Sequence, residues 1–402
     1  MLSSRHLPSL DGLRGLAVLM VVAHNLSPIH PEGWLSHVLT SLLDRGWVGV
    51  QLFFVLSGFL ITGILLDSQD QPRPLTRFFG ARALRILPLY GATLVVVFGV
   101  LPWLGHGLGA GPRDAWPLAL FISNWMSFQP GENPLPHFWS LAVEEQFYLL
   151  WPFLIPRFGL KGLVRFCLGL TVAALAIRWL LMQHGAPSEL IYRYSVCRMD
   201  ALACGAAAAA LLRLPPAANW LSRHPGHTAM LAAVLLFSAA VSGGLTQYAA
   251  ATQLLGYAFL STGLAAAVLA VAHADLSGLR GGHGMALLRW PALGRVGCYS
   301  YGMYVLHLPL HLTLGAPLLQ ALRQSGLAPL PAGLAYVVLA TAAVFGLAAL
   351  SYHLFEARFL RLKSRLPGAS GRAEPARNPR GAWRPLPDRA AQHRRPARFE
   401  RG

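Results

Sequence analysis

Residues 137–152, HFWSLAVEEQFYLLWP, indicate the class of fold. The stretch is apolar enough to enter a lipid bilayer, yet it places Glu144 directly before Glu145. A carboxylate in hydrocarbon is energetically costly, so such residues usually face a polar interior and have a function there. The first apolar segment shows the same feature, because His24 lies inside it. The sequence therefore indicates an all-α polytopic membrane protein with chemistry inside the bilayer.

The composition favours a membrane protein over a soluble one. Of the 402 residues, 54% are hydrophobic and 12% are charged, whereas soluble domains carry about 25% charged residues. Apolar runs long enough to span a bilayer recur along the chain. We predict about ten transmembrane helices, at 12–30, 47–66, 84–105, 138–156, 160–182, 196–212, 227–243, 250–272, 297–319 and 331–354. The run 116–127 is short and contains Pro117, which favours an interfacial or re-entrant segment.

The distribution of arginine and lysine predicts the orientation. With ten spans, the basic loops fall on the same side as both termini, and the loop 67–83 with Arg73, Arg77 and Arg82 is one of them. Cytoplasmic loops carry the excess of basic residues. We therefore expect both termini to be cytoplasmic and the protein to be a multi-pass protein of the cytoplasmic (inner) membrane.

The net charge of +17 is concentrated near the C-terminus. Residues 363–402 hold eleven Lys or Arg and three Asp or Glu, with few large apolar residues. This composition predicts a disordered basic cytoplasmic tail, following a transmembrane domain at 1–362. The positive charge of the tail favours contact with anionic lipid and helps to fix the orientation of the protein in the membrane. We expect no nucleic-acid partner.

Two polar residues in the first span are candidates for function. Arg14 lies one turn after Asp11, and His24 lies ten residues further, about 15 Å along a helix. An imidazole can exchange a proton near neutral pH. The alternative is a histidine that only bonds a neighbouring helix. Because His24 is at membrane depth and buried carboxylates are expected nearby, we favour a catalytic role.

Arg82 and Arg85 form the second candidate site. They are three residues apart at the start of the third span, so both lie on one helix face at the predicted cytoplasmic boundary. Guanidinium groups bind phosphate in a bidentate geometry. Arginines that only mark the end of a helix are the alternative, and the pattern does not separate the two.

Glu144 and Glu145 complete the candidate set. Counted from residue 138 as the outer boundary, both carboxylates lie roughly 9–11 Å into the membrane, which is close to the depth expected for His24. Adjacent residues point about 100° apart on a helix, so their partners should differ. One glutamate could orient the His24 imidazole, or it could pair with Arg14 or Arg198.

Other polar residues give weaker indications. Arg198 and Asp200 could form an internal ion pair. His307 and His311 have a spacing that can bind metal, but no third ligand is evident, and we expect no metal. The four cysteines show no metal-site spacing.

Together these motifs resemble the acyltransferase-3 family of integral-membrane acyltransferases. The ordered motifs cover roughly residues 8–362, and they are residues 10–15 with His24, residues 49–60, Arg82 with Arg85, residues 138–148, residues 198–202, residues 300–309, and Tyr352 with Glu356. Gln51 departs from the pattern, because many members carry an acid there. The resemblance implies functional positions at Arg14, His24, Arg82, Arg85 and the region of Glu144.

The resemblance also implies an activity. Members transfer an acyl group, usually acetyl, from acyl-CoA to a hydroxyl, commonly of a carbohydrate or glycoconjugate. Joined to the residue patterns, this predicts that Arg14, Arg82 and Arg85 bind acetyl-CoA as a donor substrate, with no permanently bound cofactor. His24, with Glu144 or Glu145, would deprotonate the acceptor hydroxyl or relay the acyl group. The sequence does not name the acceptor or the oligomeric state.

A transporter or flippase for a glycolipid or sugar is the rival class. Intramembrane Glu, His and Arg also suit a proton-coupled carrier. The ordered family motifs and the lack of a visible internal repeat favour the enzyme.

Overall fold

The computed structural model describes residues 6–128, 132–279 and 282–366, and every regular element in these ranges is helical. The first nine α-helices are α1 (Pro8–Leu26), α2 (Trp34–Asp44), α3 (Val48–Ser68), α4 (Pro74–Val95), α5 (Leu101–Trp103), α6 (Trp116–Ala119), α7 (Phe138–Leu154), α8 (Leu160–Gln183) and α9 (Ser188–Arg193). The others are α10 (Ser195–Leu211), α11 (Pro215–Arg223), α12 (Pro225–Val241), α13 (Tyr257–Leu276), α14 (His283–Leu288), α15 (Pro291–Leu310), α16 (Ala316–Gln324), α17 (Pro329–Ser351) and α18 (Ala357–Arg361).

Short segments of other helical types connect or extend these helices. The 3₁₀ segments are Arg45–Trp47, Pro112–Ala115, Ser123–Trp125, Ile155–Arg157 and Leu362–Arg365. The π-helical segments are Val96–Val100, Thr252–Gly256, His311–Gly315 and Tyr352–Glu356. π-Helical turns often occur at functional sites, and the last of these places Glu356 in the candidate site described below.

The structure confirms a helical protein with several apolar spans, and each of the ten predicted segments falls on a helix. Within the described residues, six helical stretches are long and apolar enough to cross a membrane, or seven if the pair bent by 87° at residues 212–214 is one span. The remaining predicted spans fall on α1, α7 and α12. These three helices are less apolar or shorter than the other six. Helix α1 carries the polar residues Asp11, Arg14 and His24, and α7 and α12 have only 17 residues each. The count of ten and the orientation stay predictions.

Helices α1 and α2 differ from the sequence prediction. Helix α1 begins at Pro8 rather than residue 12 and ends at Leu26 rather than residue 30. Proline is favoured at the first helical position because it lacks the N–H that would have no partner there. Helix α2 was not predicted, and it continues through Arg45–Trp47 into α3 as one stretch, Trp34–Ser68. The run 116–127 forms two short helical pieces, which agrees with the prediction that it is not a span.

The helical chain also extends past the predicted domain boundary at residue 362. The segment Leu362–Arg365 is a 3₁₀ turn, and the Leu366 side chain lies against Gly80 of α4, whose added Cβ would be 2.8 Å from Leu366 Cδ2. The rest of the predicted basic tail, residues 367–402, lies outside the described residues.

Glycines set the close approach of the central helices. A Cβ added at Gly58 of α3 would lie 2.0 Å from the Leu202 carbonyl oxygen, and one at Gly205 of α10 would lie 2.0 Å from the Val55 carbonyl oxygen. The same holds between α1 and α15, where a Cβ at Gly297 would lie 1.9 Å from the Asp11 carbonyl oxygen. Small residues are the usual means of helix packing in membranes, because burial from water supplies no driving force there.

We expect Gly58→Ala to destabilise the protein by about 2–3 kcal/mol, since the helices must separate to admit the methyl group. Gly169→Ala is the matched control, because Gly169 is helical and exposed and has open space around it. The control should be neutral or slightly stabilising, as alanine has the higher helix propensity. Thermal unfolding of both variants in detergent measures the difference, and equal melting temperatures would show that this contact does not limit stability.

Candidate functional site

Glu144 lies at the centre of a cluster of polar side chains between α3, α4 and α7. Its Oε1 accepts a hydrogen bond from Ser57 Oγ at 3.0 Å, and its Oε2 lies 2.9 Å from the Tyr148 hydroxyl. Tyr148 follows Glu144 by one helical turn, which brings both side chains to one face of α7. The Arg82 guanidinium lies 5.0 Å from the centre of the Tyr148 ring, within the range of a cation–π contact.

The charges of four predicted site residues meet at this cluster. Arg82 and Arg14 both interact electrostatically with the Glu144 carboxylate. Glu145 interacts with Arg82 and with Glu144. The structure therefore brings Arg14, Arg82 and both glutamates together, and we call these four residues with Ser57 and Tyr148 the carboxylate cluster.

Arg85 lies in an adjoining cleft between α4, α15 and the π-helical turn after α17. The cleft is lined by Arg85, Cys298, Tyr301 and Glu356, among others. The Tyr301 hydroxyl donates a hydrogen bond to the Ile86 carbonyl oxygen at 2.7 Å. Arg85, Glu145 and Glu356 all interact electrostatically with Tyr301. Glu145 of the carboxylate cluster and Arg85 and Glu356 of the cleft thus act on the same tyrosine.

His24 is held by the backbone of the segment before α3. Its Nδ1 lies 3.0 Å from the Leu43 carbonyl oxygen. A carbonyl can only accept a hydrogen bond, so Nδ1 carries the proton and Nε2 of the neutral ring keeps its lone pair. Gly46 fixes this approach, because a Cβ there would lie 2.6 Å from His24 Cβ. The imidazole is therefore oriented with Nε2 available as a base or nucleophile.

The expectation that the glutamates lie level with His24 is wrong. Glu144 interacts with Arg14, which lies ten residues and about 15 Å from His24 along α1. The depth was counted from residue 138 as the membrane boundary. Instead, α7 begins inside the bundle, since the ring of the preceding residue, His137, lies 4.6 Å from that of His307. In the described residues no hydrogen bond joins His24 to a glutamate, and the Leu43 carbonyl takes the orienting role.

Two polar residues near His24, Asn25 and His137, were not identified from the sequence. Asn25, the residue after His24, has Nδ2 3.0 Å from His307 Nε2. His307 Nδ1 lies 2.6 Å from the Tyr304 carbonyl oxygen. His137 Nε2 lies 3.4 Å from the Val305 carbonyl oxygen, and its buried Nδ1 has no partner among the described residues. His137 is the first residue of the stretch 137–152, and a histidine at the start of that apolar stretch is the signal that could have identified it.

The spacing of His307 and His311 does not form a metal site. His307 bonds Asn25, whereas His311 Nδ1 lies 2.6 Å from the Tyr336 hydroxyl. Over the three described ranges, no group of three or more His, Cys, Asp or Glu side chains is placed to hold a metal ion.

The expected pair of Arg198 with Asp200 is also wrong. Asp200 pairs instead with Arg178 of α8, with NH1 2.7 Å from Oδ2, and both side chains are fully buried. Arg198 donates a hydrogen bond from NH2 to the Gln51 side-chain oxygen. Residues 198 and 200 point to different faces of α10 because two positions turn a helix by about 200°.

A family model for the acyltransferase domain matches residues 7–350, which is most of the chain. The peptidoglycan O-acetyltransferase OatA of Listeria monocytogenes is 29% identical over 377 residues, covering 88% of this chain and 56% of that protein. The putative peptidoglycan O-acetyltransferase YrhL of Bacillus subtilis is 30% identical over 328 residues, covering 76% and 48%.

A third relative matches a shorter region. The O-acetyltransferase OatA of Staphylococcus aureus is 35% identical over 183 residues, covering 41% of this chain and 28% of that protein. The chain spans about half the length of the Listeria and Bacillus relatives. No solved structure matches it.

Proposed function

The chain belongs to the acyltransferase family whose model matches residues 7–350, and on that premise we propose that it is a membrane O-acyltransferase. It transfers an acyl group, usually acetyl, from acyl-CoA to a hydroxyl of a carbohydrate acceptor. The observation that carries the proposal is that helix α1 links two different sites. Arg14 joins it to the carboxylate cluster, and His24 presents an oriented, unprotonated Nε2 about 15 Å away.

The arginine-rich region suits the CoA end of the donor. Arg14 and Arg82 adjoin Glu144, and Arg85 lines the neighbouring cleft. Guanidinium groups supply bidentate donors to phosphate oxygens, while Glu144 and Glu145 hold the charge balance and the orientation of Arg82. By the positive-inside bias, this end of the bundle faces the cytoplasm, where acyl-CoA is available. The protein would then lie in the cytoplasmic membrane.

His24 can promote acyl transfer by either of two routes. As a general base, Nε2 takes the proton of the acceptor hydroxyl while its oxygen attacks the thioester carbonyl and the CoA thiolate leaves. As a relay, Nε2 attacks the carbonyl first, the thiolate leaves, and the acceptor oxygen then displaces the imidazole. Mass spectrometry of the protein after acyl-CoA addition without acceptor distinguishes them, since only the relay leaves an acyl group on His24.

The names of the relatives direct the choice of acceptor for the first test. Membranes that contain the protein are incubated with acetyl-CoA labelled in the acetyl group and with peptidoglycan glycan strands. Label in alkali-labile ester linkage on the glycan is the expected result. If labelled acetyl-CoA is consumed only at the rate of control membranes and no ester forms, the enzyme assignment is wrong for this donor and acceptor.

We expect Arg82→Gln and Arg85→Gln to raise KM for acetyl-CoA, because each removes a charged donor to phosphate. A hydrogen bond to a charged group contributes about 1.5–3 kcal/mol, which corresponds to roughly 10–150-fold in affinity. KM for the glycan should change little.

Arg73→Asn is the matched control for these variants. Arg73 is an exposed arginine just before α4 with a φ of 52°, a conformation that asparagine also tolerates. The substitution removes one positive charge near the start of the same helix without changing a residue of the carboxylate cluster or the adjoining cleft. Equal KM values for acetyl-CoA in all three variants would assign Arg82 and Arg85 to membrane topology alone.

A further inference from the structure

Arg198 is a fully buried arginine whose charge has no carboxylate partner in the described part of the chain. Its relative exposure is 0%, and so is that of Gln51, the neutral residue whose side-chain oxygen accepts a hydrogen bond from Arg198. Among the described residues, the guanidinium Nε and Nη1 have no hydrogen-bond partner. Asp200, the carboxylate two residues away, is taken by Arg178 at 2.7 Å. Arg178 and Asp200 balance each other, and Arg198 remains as one uncompensated charge.

Aromatic rings surround this guanidinium. Its central carbon lies 4.4 Å from the ring centre of Tyr257, 5.0 Å from Tyr192, 5.6 Å from Phe54 and 5.9 Å from Trp139. Ring faces offset part of the cost of removing a cation from water. They do not replace hydrogen-bond acceptors for the N–H groups, so the cage leaves donors open. We call Arg198 with these four rings the arginine cage.

A buried charge without a counter-charge is far more costly than an unpaired neutral group. An ordered water could accept hydrogen bonds from Nε and Nη1, but it would not supply the missing negative charge. Only an anionic group satisfies both the open donors and the charge.

The location of the cage indicates which reactant would supply that anion. Trp139 follows His137 by two residues, and the His137 ring adjoins His307, which bonds Asn25 beside His24. Glu144 lies five residues further along α7, at the end with Arg14 and Arg82. The arginine cage is thus nearer to the histidine end of the bundle than to the arginines assigned to the donor phosphates. Trp139 and Tyr192 are its two slightly exposed members, at 8% and 6%, so a ligand would approach past them.

We infer that Arg198 binds a carboxylate of the acyl acceptor, and that the neutral side chain of Gln51 leaves its charge available for that purpose. The acceptor class is therefore an acidic glycan, such as one with carboxylate-bearing sugars. This inference rests on the proposed acyl transfer and adds the charge of the acceptor to it. It assigns specificity to Arg198 and leaves the bond-making chemistry at His24.

The test places a competing carboxylate inside the cage. Gln51→Glu should pair with Arg198 and occupy its open donors, and Gln51→Met is the control that removes the amide without adding charge. Two probes are used: peptidoglycan glycan strands freed of stem peptides, with free lactyl carboxylates, and the same strands with those carboxylates converted to primary amides. For each protein, KM for both glycans and the melting temperature with and without each glycan are measured.

If Arg198 binds the carboxylate, the wild-type KM should be at least tenfold lower for the free-acid glycan than for the amidated one. Gln51→Glu should melt at a higher temperature than the wild type without ligand, and its preference between the glycans should fall to within twofold. Gln51→Met should keep the preference. Equal KM values for both glycans in the wild type, or an undiminished preference in Gln51→Glu, would overturn the inference.

The melting measurements separate this inference from the proposed function. Stabilisation of the wild type by the free-acid glycan alone supports the carboxylate site even if no acetyl group is transferred, which would count against acyl transfer only. Transfer to both glycans with equal KM and equal stabilisation supports the enzyme and refutes the carboxylate site. Neither transfer nor stabilisation would refute both.

Discussion

Replacing His24 with alanine should reduce kcat for acetyl transfer by about 10³-fold, within the range that a positioned acid–base group contributes, while the protein remains in the membrane. The physical reason is the orientation of the ring. The Leu43 carbonyl oxygen, 3.0 Å from Nδ1, fixes the tautomer that leaves Nε2 unprotonated. Both routes proposed for His24 need that lone pair, and alanine supplies no group that can replace it.

The measurement compares kcat at saturating acetyl-CoA in purified protein in lipid, with membrane level and melting temperature determined in parallel. His184→Ala is the control, because His184 is an exposed histidine at the end of α8 and its loss should leave kcat unchanged. A well-inserted His24→Ala protein that transfers acetyl at the wild-type rate would remove His24 from the mechanism.

Much of the fold could be predicted from the sequence, because bilayer chemistry leaves few choices. Backbone polar groups must be satisfied within a span, so each long apolar run has to form a helix. All ten predicted segments are helical for this reason. Helix α2 was missed because it is exposed and amphipathic, with Trp34 and Leu42 largely uncovered, and such a segment resembles a loop in a search for apolar runs.

The sequence singled out polar residues that the structure brings together, but it did not predict their arrangement. Arg14, Arg82, Glu144 and His24 are identifiable because ionisable groups are rare in spans. Their depths depend on where each helix enters the bundle, and that is set by tertiary packing. Residue 138 begins α7 but not the membrane, so counting from it placed Glu144 at the level of His24 rather than beside Arg14.

Side-chain partners within the bundle were the least predictable. Asp200 is two residues from Arg198, yet it pairs with Arg178 on another helix. The sequence gives the rotation of residues about one helix, but it does not say which neighbouring helix faces each side. The same limit applies to His307, whose partner Asn25 is 282 positions away.

Glu144→Gln should raise KM for acetyl-CoA by about tenfold or more and change kcat by less than about threefold. The carboxylate accepts bonds from Ser57 and Tyr148 and faces the charges of Arg82 and Arg14. An amide keeps the size of the side chain but removes the charge that holds these arginines. Loss of one charge-assisted interaction costs about 1.5–3 kcal/mol. We expect this loss to weaken acetyl-CoA binding, because Arg82 is proposed to bind the CoA phosphates.

The division between KM and kcat makes this variant decisive between two mechanisms. If a glutamate oriented the His24 imidazole, as the sequence alone suggested, Glu144→Gln would lower kcat and leave KM for acetyl-CoA unchanged. Glu189→Gln is the control, because Glu189 is an exposed glutamate paired only loosely with Arg193 at 3.5 Å. A fall in kcat with unaltered KM in Glu144→Gln, but not in the control, would show that Glu144 acts on His24 despite the separation along α1. The expected rise in KM would instead place Glu144 in the proposed donor site, with the backbone of Leu43 as the group that orients His24.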